Sequence, residues 1–290
     1  MGKTVVGIGE LLWDIFPDYR KAGGAPANFV YHASKLGAEG CFIGAVGNDI
    51  LGKEILKELS DNQINGFIET VNFPTGTVKV ELKDGQPTYT IVEGVAWDYI
   101  PLTDKAIDII GHADAICYGT LAQRSRVSHA TIAALLDYAR PDALRFFDIN
   151  LRQHYYSAML IEETLHKSNV FKVNDDELAT LRNLFSLEGS DDDICSRFIT
   201  KYNLQYMILT AGSISSTVYT DDDKSFIPTP QVKVVDTVGA GDAFSGAFLC
   251  SILSGRSFRE AHSQAVETSA YVCTRPGAWC DYSDSIVARN

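Results

Sequence analysis

The chain has 290 residues, 46% of them hydrophobic and 21% charged, which supplies a sizeable core and excludes a chain dominated by disorder. Lysine and arginine number 25 against 37 acidic residues, a formal net charge of −12 that repels nucleic-acid phosphates and anionic lipid headgroups, so neither is an expected partner and an anionic substrate needs a local device. The six cysteines are scattered without a C-x-x-C pair and read as reduced thiols, and no apolar run has the length of a signal peptide or a membrane span, so the expected location is the cytoplasm.

Thr4 to Ile8 is a short β-branched run ending at glycine, the pattern of a buried strand that stops at the edge of a site. After a loop, Pro26 to Leu36 keeps helical spacing, with proline at the first helical position and Gly37 just past the end. Cys41 to Val46 reads as a strand and Ile50 to Leu59 as a helix. The pattern then changes. Thr77 to Leu82 and Thr88 to Val92 alternate apolar and polar residues around the turn signal Lys83-Asp84-Gly85-Gln86, which predicts a hairpin with one covered face, suited to a small lid. Strand-like runs resume at 115–118, 144–149, 170–173 and 207–210, separated by helical patterns such as Val127 to Tyr138 and Glu177 to Phe185. This alternation predicts a mostly parallel sheet with helices on both faces and ligands at the C-terminal ends of its strands.

The most informative segment is Asp236-Thr237-Val238-Gly239-Ala240-Gly241-Asp242, which runs into a helix whose apolar residues Ala243, Phe244, Ala247, Phe248 and Leu253 keep helical spacing. A helix that begins in a glycine-rich turn offers unpaired amides and the positive end of its dipole to an anion, and glycine lets a phosphate approach the backbone. A carboxylate beside bound phosphate repels it. Asp242 suits a general base that takes the proton of an attacking hydroxyl while the amides of Gly239, Ala240 and Gly241 stabilise the transferred group. Taken alone, the same four residues equally serve tight packing with Asp242 as a helix cap. Context decides between the two.

That context consists of Gly23-Gly24-x-x-x-Asn28, Gly44-Ala45-Val46-Gly47-Asn48-Asp49-x-x-Gly52, Asp148-x-Asn150-x-Arg152, Asn174-x-x-Glu177 and Asp236-Thr237-x-Gly239-Ala240-Gly241-Asp242. With these motifs the chain resembles the ribokinase-like carbohydrate kinases, the PfkB family, over nearly its whole length, and among them it is most similar to fructokinases. The resemblance implies one three-layer α/β/α domain over residues 1–290, with a mostly parallel central sheet and a small β lid formed from about 12–22 and 67–99. It implies ATP and Mg2+ as co-substrates and Asp242 as catalytic base. It also implies a sugar held by Asp14, Gly24 and Asn28 with Arg152 nearby, and a nucleotide side made of Asn174, Glu177, Thr210, Gly212, Thr237, Gly239 and Gly241. Magnesium is expected near Glu177 through water, and a monovalent cation, K+, near Asp236. Asn174 and Glu177 equally read as a capping pair at a helix start.

Trp97, just after the hairpin, is expected either to cover the sugar or to form lid core. The family's second glycine in the nucleotide loop is Ser215 here, and Trp279-Cys280-Asp281 departs from what commonly follows Arg275-Pro276-Gly277-Ala278. Fructose is the first expected substrate, with 2-keto-3-deoxygluconate and ribose as alternatives and a non-catalytic sugar-binding relative as the rival of another class. The lid hairpin suits a homodimer through the lid. The chain has no G-x-x-x-x-G-K-[ST] motif, and Gly7-Ile8-Gly9 lacks the third glycine of a dinucleotide fingerprint.

Overall fold

Strand β1 (Thr4–Ile8) sends alternate side chains to opposite sides, Val5 into one core and Val6 and Ile8 into another. It lies inside a nine-stranded sheet of a computed structural model that describes residues 2–83, 86–283 and 286. Along the chain follow β2 (Leu12–Ile15), β3 (Arg20–Gly23), α1 (Ala25–Lys35), β4 (Glu39–Gly47), α2 (Ile50–Asp61), β5 (Gly66–Val71), β6 (Gly76–Lys83) and β7 (Gln86–Ile91). A short 3-10 turn at Ala96–Tyr99 leads to α3 (Asp104–His112), β8 (Ala115–Tyr118), α4 (Arg126–Asp137), β9 (Leu144–Asp148), α5 (Ala158–His166) and β10 (Val170–Asn174). The remainder is α6 (Asp175–Phe185), α7 (Asp191–Tyr202), β11 (Tyr206–Ala211), β12 (Ser215–Tyr219), β13 (Lys224–Pro228), α8 (Ala240–Leu253) and α9 (Phe258–Cys273).

The large sheet runs β13-β12-β11-β10-β9-β8-β1-β4-β5 and is parallel from β11 to β5, with β12 and β13 added antiparallel at one edge. Helices α1, α2, α8 and α9 cover one face through residues such as Phe29, Ile55, Phe248 and Ala265. Helices α3 to α7 cover the other through Ile110, Leu135, Leu165, Leu181 and Phe198. The result is the three-layer α/β/α arrangement expected of strands that alternate with helices.

A second sheet, β3-β2-β6-β7, stands apart as the lid. Its hairpin β6/β7 pairs antiparallel, and β2 joins β6 in parallel. The expected turn residues Asp84 and Gly85 lie outside the described residues. The lid is narrower than the span 67–99. Gly66–Val71 pairs in parallel with β4, Gly44 opposite Ile68, and forms the outer strand of the large sheet. As an edge strand it is only half covered, which gives it the mixed pattern of a lid strand.

The Gly44–Gly52 motif is a structural joint. Asp49 caps α2 by accepting from the Gly52 amide at 2.7 Å, and it also accepts from the Thr75 amide at 2.8 Å and the Thr75 hydroxyl at 2.7 Å. Thr75 in turn accepts from the Gly47 amide at 3.0 Å, which fixes the end of β4 to the base of the lid.

Candidate active site

Helix α8 starts at a turn in which Gly239 is left-handed, φ +79°, and a Cβ there would stand 2.8 Å from that of Ala278. No side chain caps this helix start. Asp242 lies in its first turn, and Nδ2 of Asn28 donates to its Oδ2 at 2.8 Å. Burial pushes the Asp242 carboxyl up to about 6, with the nearby Asp148 charge adding to the effect; the Asn28 bond, Lys172 and Arg152 oppose it.

Asn28 is on α1, whose N-cap Gly24 has φ +131° and would drive a Cβ to 2.2 Å from the Glu10 carbonyl oxygen. Only glycine permits that entry, which brings α1 against the end of β1. Asp14 on β2 sits opposite Lys21 on β3, and its Oδ2 lies 3.0 Å from the position a Cβ would take at Gly23. Burial raises Asp14 to about 6, against the pull of Arg152 and Lys21. Glu10, which sequence reading did not single out, is 3% exposed, its Oε2 has no partner, and burial lifts it to about 7, with Arg152 and Asp242 both acting on it. Arg152 is exposed; its guanidinium bonds the Leu151 carbonyl at 3.1 Å.

The motif Asp148-x-Asn150-x-Arg152 is held from two sides. Lys172 on β10 is 2.7 Å from Asp148, and the Ser245 hydroxyl on α8 donates to the same oxygen at 2.9 Å. Burial works against the Lys172 charge, yet Asp148, with Asp242 and Glu177 also near, keeps its pKa raised. The Lys172–Asp148 pair is nearly enclosed, so removing one partner strands the other charge. Lys172→Met is expected to cost roughly 3 kcal/mol in urea denaturation, the low end for a broken buried pair. A loss below about 1 kcal/mol would show the pair to be solvated.

Asn174 and Glu177 form a reciprocal capping box at the start of α6, each bond 2.8 Å, and the second Glu177 oxygen accepts from the Leu151 amide at 2.8 Å. Both carboxylate oxygens are thus engaged, so a magnesium ion fits beside Glu177 through water rather than by direct ligation. Asp236 accepts from the amides of Val238 at 3.1 Å and Gly277 at 2.9 Å, and Lys21 lies 3.8 Å away. Although partial burial works against its charge, these groups hold its pKa low. Among the described residues no cluster of three or more His, Cys, Asp or Glu is arranged to hold a metal ion.

Thr210, Gly212, Thr237 and Gly241 line a cleft of about 290 Å3 on the far side of the α8 start, together with Ser215, Val234 and Phe244. Trp97 is not at the open face. It is 1% exposed, with its ring 3.9 Å from the Arg124 guanidinium and Gly76 packed on its edge, which makes it core at the base of the lid.

The segment after Gly277 packs against α1. α1 turns Asn28, Tyr31 and His32 toward it at helical spacing. Trp279 Nε1 donates to Asn28 Oδ1 at 2.9 Å, the Tyr31 hydroxyl donates to the Cys280 carbonyl at 2.9 Å, and Tyr282 bonds His32 Nδ1 at 2.8 Å. The only sequence signal for this was the departure at Trp279-Cys280-Asp281.

The fold is a three-layer α/β enzyme architecture with a carboxylate beside an uncapped helix start. Residues 19–282 match the pfkB family carbohydrate kinases, and the chain belongs to that family and is a carbohydrate kinase. It is 28% identical over 290 residues to fructokinase-1 of Zea mays, covering 92% of this chain and 88% of that protein. It is 27% identical over 251 residues to 5-dehydro-2-deoxygluconokinase of Bacillus anthracis, covering 82% of this chain and 76% of the relative. An uncharacterized sugar kinase from Pyrococcus horikoshii, solved in complex with ATP, superposes with a TM-score of 0.82 at 26% identity over 95% of this chain and 94% of that one. No helix among the described residues is long and apolar enough to cross a membrane.

Proposed function

We propose that this kinase transfers the γ-phosphoryl group of ATP to a hydroxyl of a small neutral sugar, with fructose the first choice. The observation that supports the reading is the Asp242 carboxylate, one residue past the cleft-lining Gly241 in the first turn of α8 and hydrogen-bonded to Asn28. Asp242 takes the proton of the attacking hydroxyl. The freed oxygen attacks the γ-phosphorus, the bond to the β-phosphate oxygen breaks, and ADP leaves with that electron pair. The amides of Gly239 and Gly241 receive the negative charge on the moving group, whereas the Ala240 amide, expected to join them, donates to the Thr237 carbonyl at 3.2 Å. Thr210, Gly212 and Thr237 line the nucleotide side. Magnesium, when bound with ATP, would neutralise phosphate charge, and Asn174 and Glu177 would hold its water shell.

The Arg152 charge acts on the carboxyls of Asp14, Glu10 and Asp242 together, and Lys21 acts on Asp14 as well. Such a set favours hydroxyl groups over a substrate carboxylate. Asn28 spends one amide hydrogen on Asp242 and its oxygen on Trp279, which leaves one N–H for a sugar hydroxyl. A second reading, a sugar acid of the 2-keto-3-deoxygluconate or 5-dehydro-2-deoxygluconate type, is favoured by the exposed Arg152 head. ADP release measured over fructose, ribose and both sugar acids separates them. Fructose is expected to give the highest kcat/KM; a sugar acid ahead of it by tenfold or more would replace the neutral reading.

A further inference from the structure

We propose that Trp279 is a positioning residue that fixes the Asn28 amide so that its NH2, rather than its carbonyl, faces the Asp242 carboxylate. The indole N–H donates and cannot accept, so an oxygen must face it. Asn28 Oδ1 meets it at 2.9 Å, and the opposite end of the same amide then presents Nδ2 to Asp242 Oδ2 at 2.8 Å. Without the indole, the amide can turn over and set oxygen against oxygen. Trp279 is itself held in place: its ring stacks on Tyr31 with centroids 6.1 Å apart, and the Tyr31 hydroxyl fixes the next residue through the Cys280 carbonyl. Helix α1 therefore carries both the amide and the anchor of the group that orients it.

The proposal rests on Asp242 acting as base. A fixed donor stabilises the ionised carboxylate and keeps it available at lower pH. The other ionisable groups around Asp242 are Asp148, Lys172 and Arg152, with Glu10 and Cys117 also within its field. The polar contacts of Lys172 and Arg152 run to Asp148 and the Leu151 carbonyl, whereas the Trp279 indole bonds Asn28.

The test uses the whole chain and the panel sugar with the highest turnover. Trp279→Phe keeps an aromatic ring and removes the donor. The acid limb of its kcat/KM profile is expected to move up by about one pH unit, so that activity at pH values near the limb falls about tenfold and recovers toward alkaline pH. General damage would instead lower activity at every pH. In an Asn28→Ala background, Trp279→Phe is expected to leave the limb where Asn28→Ala puts it, because the two residues act through one contact. Trp279→Tyr provides a second variant if the phenylalanine form does not fold. A folded variant with the limb unmoved, a loss equal at all pH values, or additive effects in the double variant would each overturn the proposal. If Asp242→Asn is itself fully active, the base assignment falls and this proposal with it. An inactive Asp242→Asn beside an unshifted Trp279→Phe overturns only the role of Trp279.

Discussion

Asp242→Asn is expected to bind ATP and sugar nearly as the parent does while turnover drops by about two to four orders of magnitude, the range for loss of a general base. The substitution is nearly isosteric. The new carboxamide would keep a carbonyl oxygen for the Asn28 amide but could not accept a proton from a hydroxyl. Burial holds the native carboxyl at about 6, so kcat/KM of the parent should fall as pH drops through about 6 and level off above it. Isothermal titration for binding and coupled ADP release for turnover separate the two effects. Turnover within a few-fold of the parent would remove Asp242 from the role.

The same raised value has a consequence for stability. The folded state binds the Asp242 proton more tightly than the unfolded chain does, so between about pH 4 and pH 6 this group's contribution becomes less favourable as pH rises. The asparagine variant escapes that cost. Its thermal midpoint should exceed the parent's at about pH 7.5, with the gap closing toward about pH 4. An inactive but stabler protein is what a functional carboxylate held in a partly dry site predicts.

The legible parts of the sequence were those in which local chemistry and burial agree. Ala115–Tyr118 is a continuous apolar run and Val170–Val173 is one interrupted by Lys172, because both faces of the large sheet are covered, so their strand character needed no partner to be seen. The α8 start was legible because glycine, the aspartate and the helical spacing after it are close in the chain. Strands β2 and β3 entered only through the family resemblance, as part of the span 12–22, since four residues each, without alternation, become strands only by pairing with one another and with β6. Trp97 shows the limit for single residues: an aromatic after a lid hairpin suits a sugar cover or a core position, and its contacts with Arg124 and Gly76 arise from segments distant in sequence. Glu10, Lys172 and Trp279 were missed for a related reason. Each matters through its surroundings in three dimensions: Lys172 and Trp279 have partners 24 and 251 residues away, and Glu10 is buried with no partner for its Oε2.

Gly241→Val should separate the phosphate-binding turn from the fold that carries it. A Cβ at residue 241 meets only the Lys172 ammonium, at 3.4 Å, the far end of a flexible side chain, and its backbone is ordinary helix. Valine is also a better helix former than glycine. The thermal midpoint should therefore stay within a few degrees of the parent. The added methyl groups, however, stand at a residue that lines the cleft and are expected to hinder the approach of a phosphate to the amides. Activity should fall by about two to three orders of magnitude, the scale for losing a charge-stabilising donor, with a raised KM for ATP. Gly239→Val provides the contrast. There φ is +79° and the new Cβ would stand 2.8 Å from Ala278, so the loss of activity should come with a lower thermal midpoint. Thermal shift and ATP turnover on both proteins distinguish the cases, and a folded Gly241→Val enzyme with near-parental turnover would mean that the transferred phosphate does not rest on this helix.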